Sequence, residues 1–115
     1  MNKKPGSAAL VNAGSGTRAV WGGEQVRHPY NATQTPIVVS AAYGYDDIDV
    51  WYDVALGKAP GFIYSRMGNP TVETLEAKIR ELEMAESAVA FSSGMAAISS
   101  VLYTFLAHGD RAWPS

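Results

Sequence analysis

This chain has no cysteine and only two histidines, His28 and His108, far apart in sequence. A disulfide framework and a thiolate metal site are both excluded. Charge is also sparse. Only 17% of residues are Asp, Glu, Lys or Arg, and the formal net charge is −2. That balance gives no electrostatic reason to bind nucleic acid or an anionic membrane surface. No apolar run is long enough to span a bilayer. The start, Met1-Asn2-Lys3-Lys4-Pro5-Gly6-Ser7, is basic but lacks the apolar core of a signal peptide. The expected location is the cytoplasm. At 115 residues the chain is one small domain or a piece of a larger one, and its 47% hydrophobic content is that of a globular protein.

The first half offers little to bury. Residues 1 to about 16 are rich in Gly, Ser, Asn and Ala and are expected to be mobile unless a partner orders them. Thr17-Arg18-Ala19-Val20-Trp21 predicts a turn of helix stopped by Gly22-Gly23. Pro29 and Pro36 make residues 24–36 an extended arm. Ile37-Val38-Val39 is β-branched but short for a strand. Residues 46–55 read as a helix with Asp46, Asp47 and Asp49 at its N-terminal end, where the dipole favours them. A Pro/Gly loop follows at 57–61.

The second half is more regular. Asn69 is a good N-cap, with Pro70 at the first helical position. Val72, Leu75, Ile79 and Leu82 then form one apolar stripe. Glu76 and Arg80 are placed for an i,i+4 ion pair on the other face. Ser87-Ala88-Val89-Ala90-Phe91 predicts a buried strand. Ser93 predicts the cap of a last helix carrying Met95, Ile98, Leu102 and Phe105 inward and stopped at Gly109. Helix, strand, helix is the grammar of an α/β fold. One strand is not a sheet, so its neighbours must come from elsewhere. Helix 70–83 and strand 87–91 therefore predict exposed apolar surface around Val89, Phe91, Leu102 and Phe105, and a tendency to associate.

Two segments carry anion-binding chemistry. Tyr64-Ser65-Arg66-Met67-Gly68-Asn69-Pro70-Thr71 sets a phenol and a guanidinium two residues apart. On an extended segment both point the same way, and both donate well to phosphate. Ser92-Ser93-Gly94-Met95-Ala96-Ala97 follows the predicted strand and opens a helix, whose first N–H groups and positive dipole end suit an oxyanion. On pattern alone the plainer accounts are a solvated Arg66 beside a half-buried Tyr64, and a Ser93 that simply caps a helix.

Taken together and in this order, the two segments resemble the Cys/Met-metabolism family of pyridoxal-phosphate enzymes. That family includes cystathionine γ-synthase, cystathionine lyases, methionine γ-lyase and the homoserine-ester sulfhydrylases. The resemblance runs from Thr17-Arg18-Ala19-Val20 through Gln34-Thr35-Pro36-Ile37 to Gly109-Asp110, and is most specific at 64–71 and 92–98. It implies an N-terminal arm over residues 1–60 that packs against neighbouring subunits. Residues 61–115 would then begin the large domain of a fold-type-I α/β transferase. The implied cofactor is pyridoxal 5′-phosphate, the implied substrate an amino acid, and the implied assembly a homo-oligomer, dimer or tetramer. Gly94 and Met95 would bind the cofactor phosphate through backbone N–H groups. Tyr64 and Arg66 would reach across a dimer interface to the phosphate of the neighbouring subunit. Tyr64 would also assist proton transfer there.

The resemblance also implies what is missing. The family needs a lysine to form a Schiff base with the cofactor. Lys3, Lys4, Lys58 and Lys78 are the four present, and none stands in the family's hydroxyl-rich context. The aspartate at the pyridine nitrogen, the ring-stacking aromatic and the carboxylate-binding arginine are all expected beyond residue 115. No catalytic residue is therefore assigned, and the chain alone is expected to be inactive. After Gly109-Asp110 the family continues into a β-branched strand, whereas here Arg111-Ala112-Trp113-Pro114-Ser115 follows. A reading frame lost near residue 111 is the expectation. A non-catalytic module that docks on a full-length relative is the alternative, and a product with little stable fold is a third reading. The resemblance places Tyr45, Trp51 and Tyr52 in a segment that borders the active site in relatives; the alternative is that they are interface aromatics.

Overall fold

The computed structural model describes residues 10–24 and 28–112. The expected mobility of the start, with Lys3 and Lys4, thus concerns mostly positions outside the described residues, as does the Trp113-Pro114-Ser115 ending. Within them lie α1 (Ser15–Trp21), α2 (Ile48–Ala55), α3 (Pro70–Glu83) and α4 (Gly94–Phe105), with a 3-10 turn at Pro29–Asn31.

Three of these helices, α2, α3 and α4, start where a polar side chain can satisfy a free N–H group of the first turn, whereas α1 follows Gly14 with no side-chain cap. Asp47 caps α2, accepting from Asp49 N at 2.8 Å, so this helix begins after the leading acids rather than with them. Asn69 caps α3, accepting from Thr71 N at 2.9 Å, with Pro70 next as predicted. Ser93 caps α4, accepting from Ala96 N at 3.2 Å. This helix ends at Phe105, before the expected stop. Gly109, at φ +97°, sits instead in a turn closed by Asp110 N donating to Ala107 O at 3.1 Å.

The expected strand at 87–91 does not form, and the described residues contain no sheet. They hold one isolated antiparallel bridge, Ala42 with Tyr64. A strand needs a neighbouring backbone for its N–H and C=O groups, and Ser87–Phe91 finds none here. The Ala90 N–H turns instead to Glu76 Oε1 at 2.7 Å. This overturns the predicted Glu76–Arg80 pair as well. A surface pair of that kind contributes only a few tenths of a kcal/mol, less than an otherwise unpaired amide gains from a carboxylate. Arg80 lies beside Glu81 at 3.4 Å.

Packing centres on α3. Of the helices, α1 and α3 lie together most closely, and Gly22-Gly23 permits this. A Cβ on Gly22 would sit 3.2 Å from Lys78 Cα, and one on Gly23, at φ +72°, would sit 2.6 Å from Thr74 O. The pair that reads in sequence as a helix stop is therefore also a contact surface. The arm then runs along the start of α3. Thr71 Oγ1 donates to Pro36 O at 3.1 Å and accepts from Val38 N at 2.9 Å. Asn69 Nδ2 donates to Val38 O at 3.0 Å. Among the described residues only Leu10 and Val54 are buried apolar side chains. Val72, Leu75 and Ile79 of the α3 stripe and Met95, Ile98, Leu102 and Phe105 of α4 stay substantially exposed, because nothing among the described residues covers them.

Candidate functional site

Tyr64 is presented by a short extended pairing. The Ala42–Tyr64 bridge is flanked by Tyr43 N donating to Ile63 O at 3.1 Å and Ser65 N donating to Ala41 O at 2.9 Å. Beyond Ser65 the chain turns, and Met67 N and Gly68 N both donate to Tyr64 O, at 2.9 and 3.2 Å. The expected extended alternation of Tyr64 and Arg66 is thus replaced by a turn. The outcome for the two side chains is the same, since Arg66 Cζ lies over the Tyr64 ring, 4.8 Å from its centroid. That is a cation–π distance. Both side chains are exposed. Neither makes an ion pair or a side-chain hydrogen bond among the described residues, so guanidinium and phenol keep their donors for a ligand.

Gly94 and Met95 are the first two residues of α4. Ser93 Oγ serves Ala96 N, and Ser93 O accepts from Ala97 N at 3.2 Å. The N–H groups of Gly94 and Met95 are left without partners among the described residues. A Cβ on Gly94 would meet nothing within 4 Å, so its face is open to an incoming oxyanion. The chemistry of all four donors suits phosphate. The structure brings Tyr64 to Arg66 and Gly94 to Met95. No hydrogen bond, ion pair or ring contact joins the first pair to the second among the described residues.

The lysines do not complete such a site. Lys58 Nζ lies 4.0 Å from Asp53 Oδ1 on the surface. Lys78 Nζ lies 3.4 Å from Glu24 Oε1, within a polar cluster that ties the arm to α3. Glu24 Oε2 there accepts from His28 Nε2 at 2.8 Å and from Thr35 Oγ1 at 3.0 Å. A cavity of about 450 Å³ opens next to this cluster, lined by His28, Thr35, Val38, Phe62, Glu73 and Arg80 among others. Tyr64, Arg66, Gly94 and Met95 do not line it.

Two features escaped the sequence reading. The buried Glu24–His28 pair carries a visible signal, its i,i+4 spacing. Tyr45 carries none. Its hydroxyl donates to Phe62 O at 3.1 Å and accepts from Phe62 N at 3.2 Å, two residues before Tyr64.

A turn holding arginine over tyrosine and a helix start with free amides present donors of the kind that suit an anion. The family model of Cys/Met metabolism PLP-dependent enzymes matches residues 16–113, and the chain belongs to that family, whose cofactor is pyridoxal phosphate. Among curated relatives, the L-methionine gamma-lyase of Fusobacterium nucleatum subsp. polymorphum is 41% identical over 98 residues, 85% of this chain and 25% of that protein. The L-methionine gamma-lyase of Pseudomonas putida is 35% identical over 110 residues, 96% of this chain and 26% of that protein. The O-acetyl-L-homoserine sulfhydrylase of Corynebacterium glutamicum is 37% identical over 95 residues, 83% of this chain and 22% of that protein. The chain thus spans about a quarter of the length of the curated relatives it matches. No helix among the described residues is long and apolar enough to cross a membrane.

Proposed function

We propose that this chain is the N-terminal part of a pyridoxal-phosphate-dependent lyase or transferase acting on sulfur amino acids or activated homoserine. Its contribution is to hold the cofactor phosphate. Gly94 and Met95 offer backbone N–H groups to it. Tyr64 and Arg66 offer side chains to the cofactor of a neighbouring subunit in a homo-oligomer. The finer architecture belongs to the same proposal. An arm over residues 1–60 precedes the first helix, strand and helix of a fold-type-I large domain, and Ser87–Phe91 becomes a strand once other strands flank it.

When bound, the cofactor supplies an electron sink for β- or γ-elimination or γ-replacement. This chain's own residues neutralise and position the phosphate, and Tyr64 can hold or pass a proton at Oη. The observation that carries the reading is the family match over residues 16–113. The unpaired donors at Tyr64, Arg66, Gly94 and Met95 support it. The engagement of Lys58 with Asp53 and of Lys78 with Glu24 supports inactivity of the chain alone. The test is to incubate the purified chain with pyridoxal phosphate and either L-methionine or O-acetyl-L-homoserine plus sulfide. No keto acid or sulfur product is expected. Turnover that disappears in Lys78→Ala would overturn the claim of inactivity.

The open apolar face of α4 favours a second reading, a non-catalytic module that docks on a full-length relative. Co-elution of the two chains in size-exclusion chromatography supports it, and separate elution excludes it.

A further inference from the structure

Tyr64 and Arg66 stand on a backbone segment that is held from the side by a residue outside every motif. Tyr45 is half-buried. Its hydroxyl serves both backbone groups of Phe62, donating to the C=O at 3.1 Å and accepting from the N–H at 3.2 Å. One phenol thus takes the part that a facing residue plays in a hydrogen-bonded pair of strands. The adjacent Gly61 is fitted to the same contact. A Cβ there would fall on the Tyr45 hydroxyl and lie 3.0 Å from both methyl groups of Val54, the buried residue of α2. From this point the pairing continues through Tyr43 N to Ile63 O and the Ala42–Tyr64 bridge.

Register decides which side of a paired segment each residue faces, and a slip of one residue reverses all of them. The remaining anchor on Phe62 is its ring, 5.4 Å from the Tyr43 ring. A ring contact of that kind holds a side chain but tolerates sliding. The Tyr45 hydroxyl is directional and fixes the peptide itself. We propose that Tyr45 is a positioning residue for the Tyr64–Arg66 pair. Together with the Tyr43 N–Ile63 O and Ser65 N–Ala41 O bonds it holds the register of 61–65 against 41–45, and so the side on which phenol and guanidinium are presented. The inference rests on the proposed phosphate role of Tyr64 and Arg66, and the test separates the two.

The full chain, Tyr45→Phe and Arg66→Ala are compared with pyridoxine 5′-phosphate as probe, which has the ring and phosphate but no aldehyde to react with surface amines. Binding is read by equilibrium dialysis. The Tyr64–Arg66 stack is read from the ring-current shift of the Arg66 side chain in NMR spectra. Arg66→Ala is expected to weaken binding, and Tyr45→Phe, which loses both hydrogen bonds to Phe62, to weaken it about fivefold. In Tyr45→Phe the Arg66 shift collapses, while the amide signals of Val38 and Thr71, which report the clamp on α3, stay in place. A merely structural role would move all of these together. If Arg66→Ala weakens binding but Tyr45→Phe alters neither binding nor the Arg66 shift, the inference is overturned and the phosphate reading stands. If Arg66→Ala binds like the parent chain, the phosphate reading fails. Collapse of the Arg66 shift in Tyr45→Phe then still supports positioning, and its persistence overturns it. Hydrogen exchange of the Phe62 amide in the parent chain needs no variant. Protection is expected, and exchange at the rate of an open amide would overturn the inference.

Discussion

Glu24 is 8% exposed, and its carboxylate takes partners from three stretches of chain. Burial pushes its carboxyl up. Hydrogen bonds from His28 and Thr35, with the charge and hydrogen bond of Lys78, outweigh this and hold it below the ordinary glutamate range. A carboxyl depressed in the folded state adds stability above its unfolded value, and that stability is lost as pH falls through the folded value. The docking of the arm on α3 is therefore expected to weaken on acidification below the ordinary glutamate range. Glu24→Gln is expected to cost about 2 kcal/mol at neutral pH and to shrink the acid-side slope of stability. Urea titrations of both chains from pH 7 downward measure it. An unchanged slope would remove Glu24 as its source. The spacing of Glu24 and His28 is legible in the sequence. The reach to Lys78 is not, because it depends on how closely Gly22-Gly23 lets α1 approach α3.

At the scale of elements, α3 is the best-specified part of the chain. Asn69-Pro70 and the apolar period mark its start and length, and it forms as predicted over Pro70–Glu83. What the sequence hides is that its cap also binds the arm. Asn69 accepts from Thr71 N through one side-chain atom and donates to Val38 O through the other. Asn69→Ala loses both and is expected to cost about 1.5 kcal/mol, seen as a lower urea midpoint. Asn69→Asp keeps the cap but not the donor, and should recover about half of the loss. Equal stability of all three chains would show that the clamp carries no weight. The α4 cap is legible in the same way from Ser93. The segment before it fails as a strand for a reason that no local pattern records, the lack of a neighbouring backbone.

For the whole molecule, the radius of gyration is 17.5 Å, against about 13 Å for a compact domain of this length. The surface is apolar where α4 and the 87–91 segment lie open, with Val89 68% and Phe105 77% exposed. Burying such surface is favourable by about 25 cal/mol per Å², and nothing among the described residues covers it. Concentration-dependent association is the expected behaviour, measured by sedimentation velocity. Phe105→Glu with Leu102→Glu should shift the distribution toward the monomer. A parent chain that stays monomeric at high concentration would contradict this.

The sequence by itself determined two helix starts, through Asn69 and Ser93, because a cap is a contact between residues two or three positions apart. It also determined the family, because the words at 64–71 and 92–98 are local and specific. Tertiary structure alone decided that Arg66 stacks on Tyr64 from a turn and that Glu76 serves Ala90 rather than Arg80. It alone decided that Tyr45 holds Phe62 and that 87–91 forms no strand. Each of these depends on which distant backbone or side chain is within reach, and reach is set by packing that no short window of sequence contains.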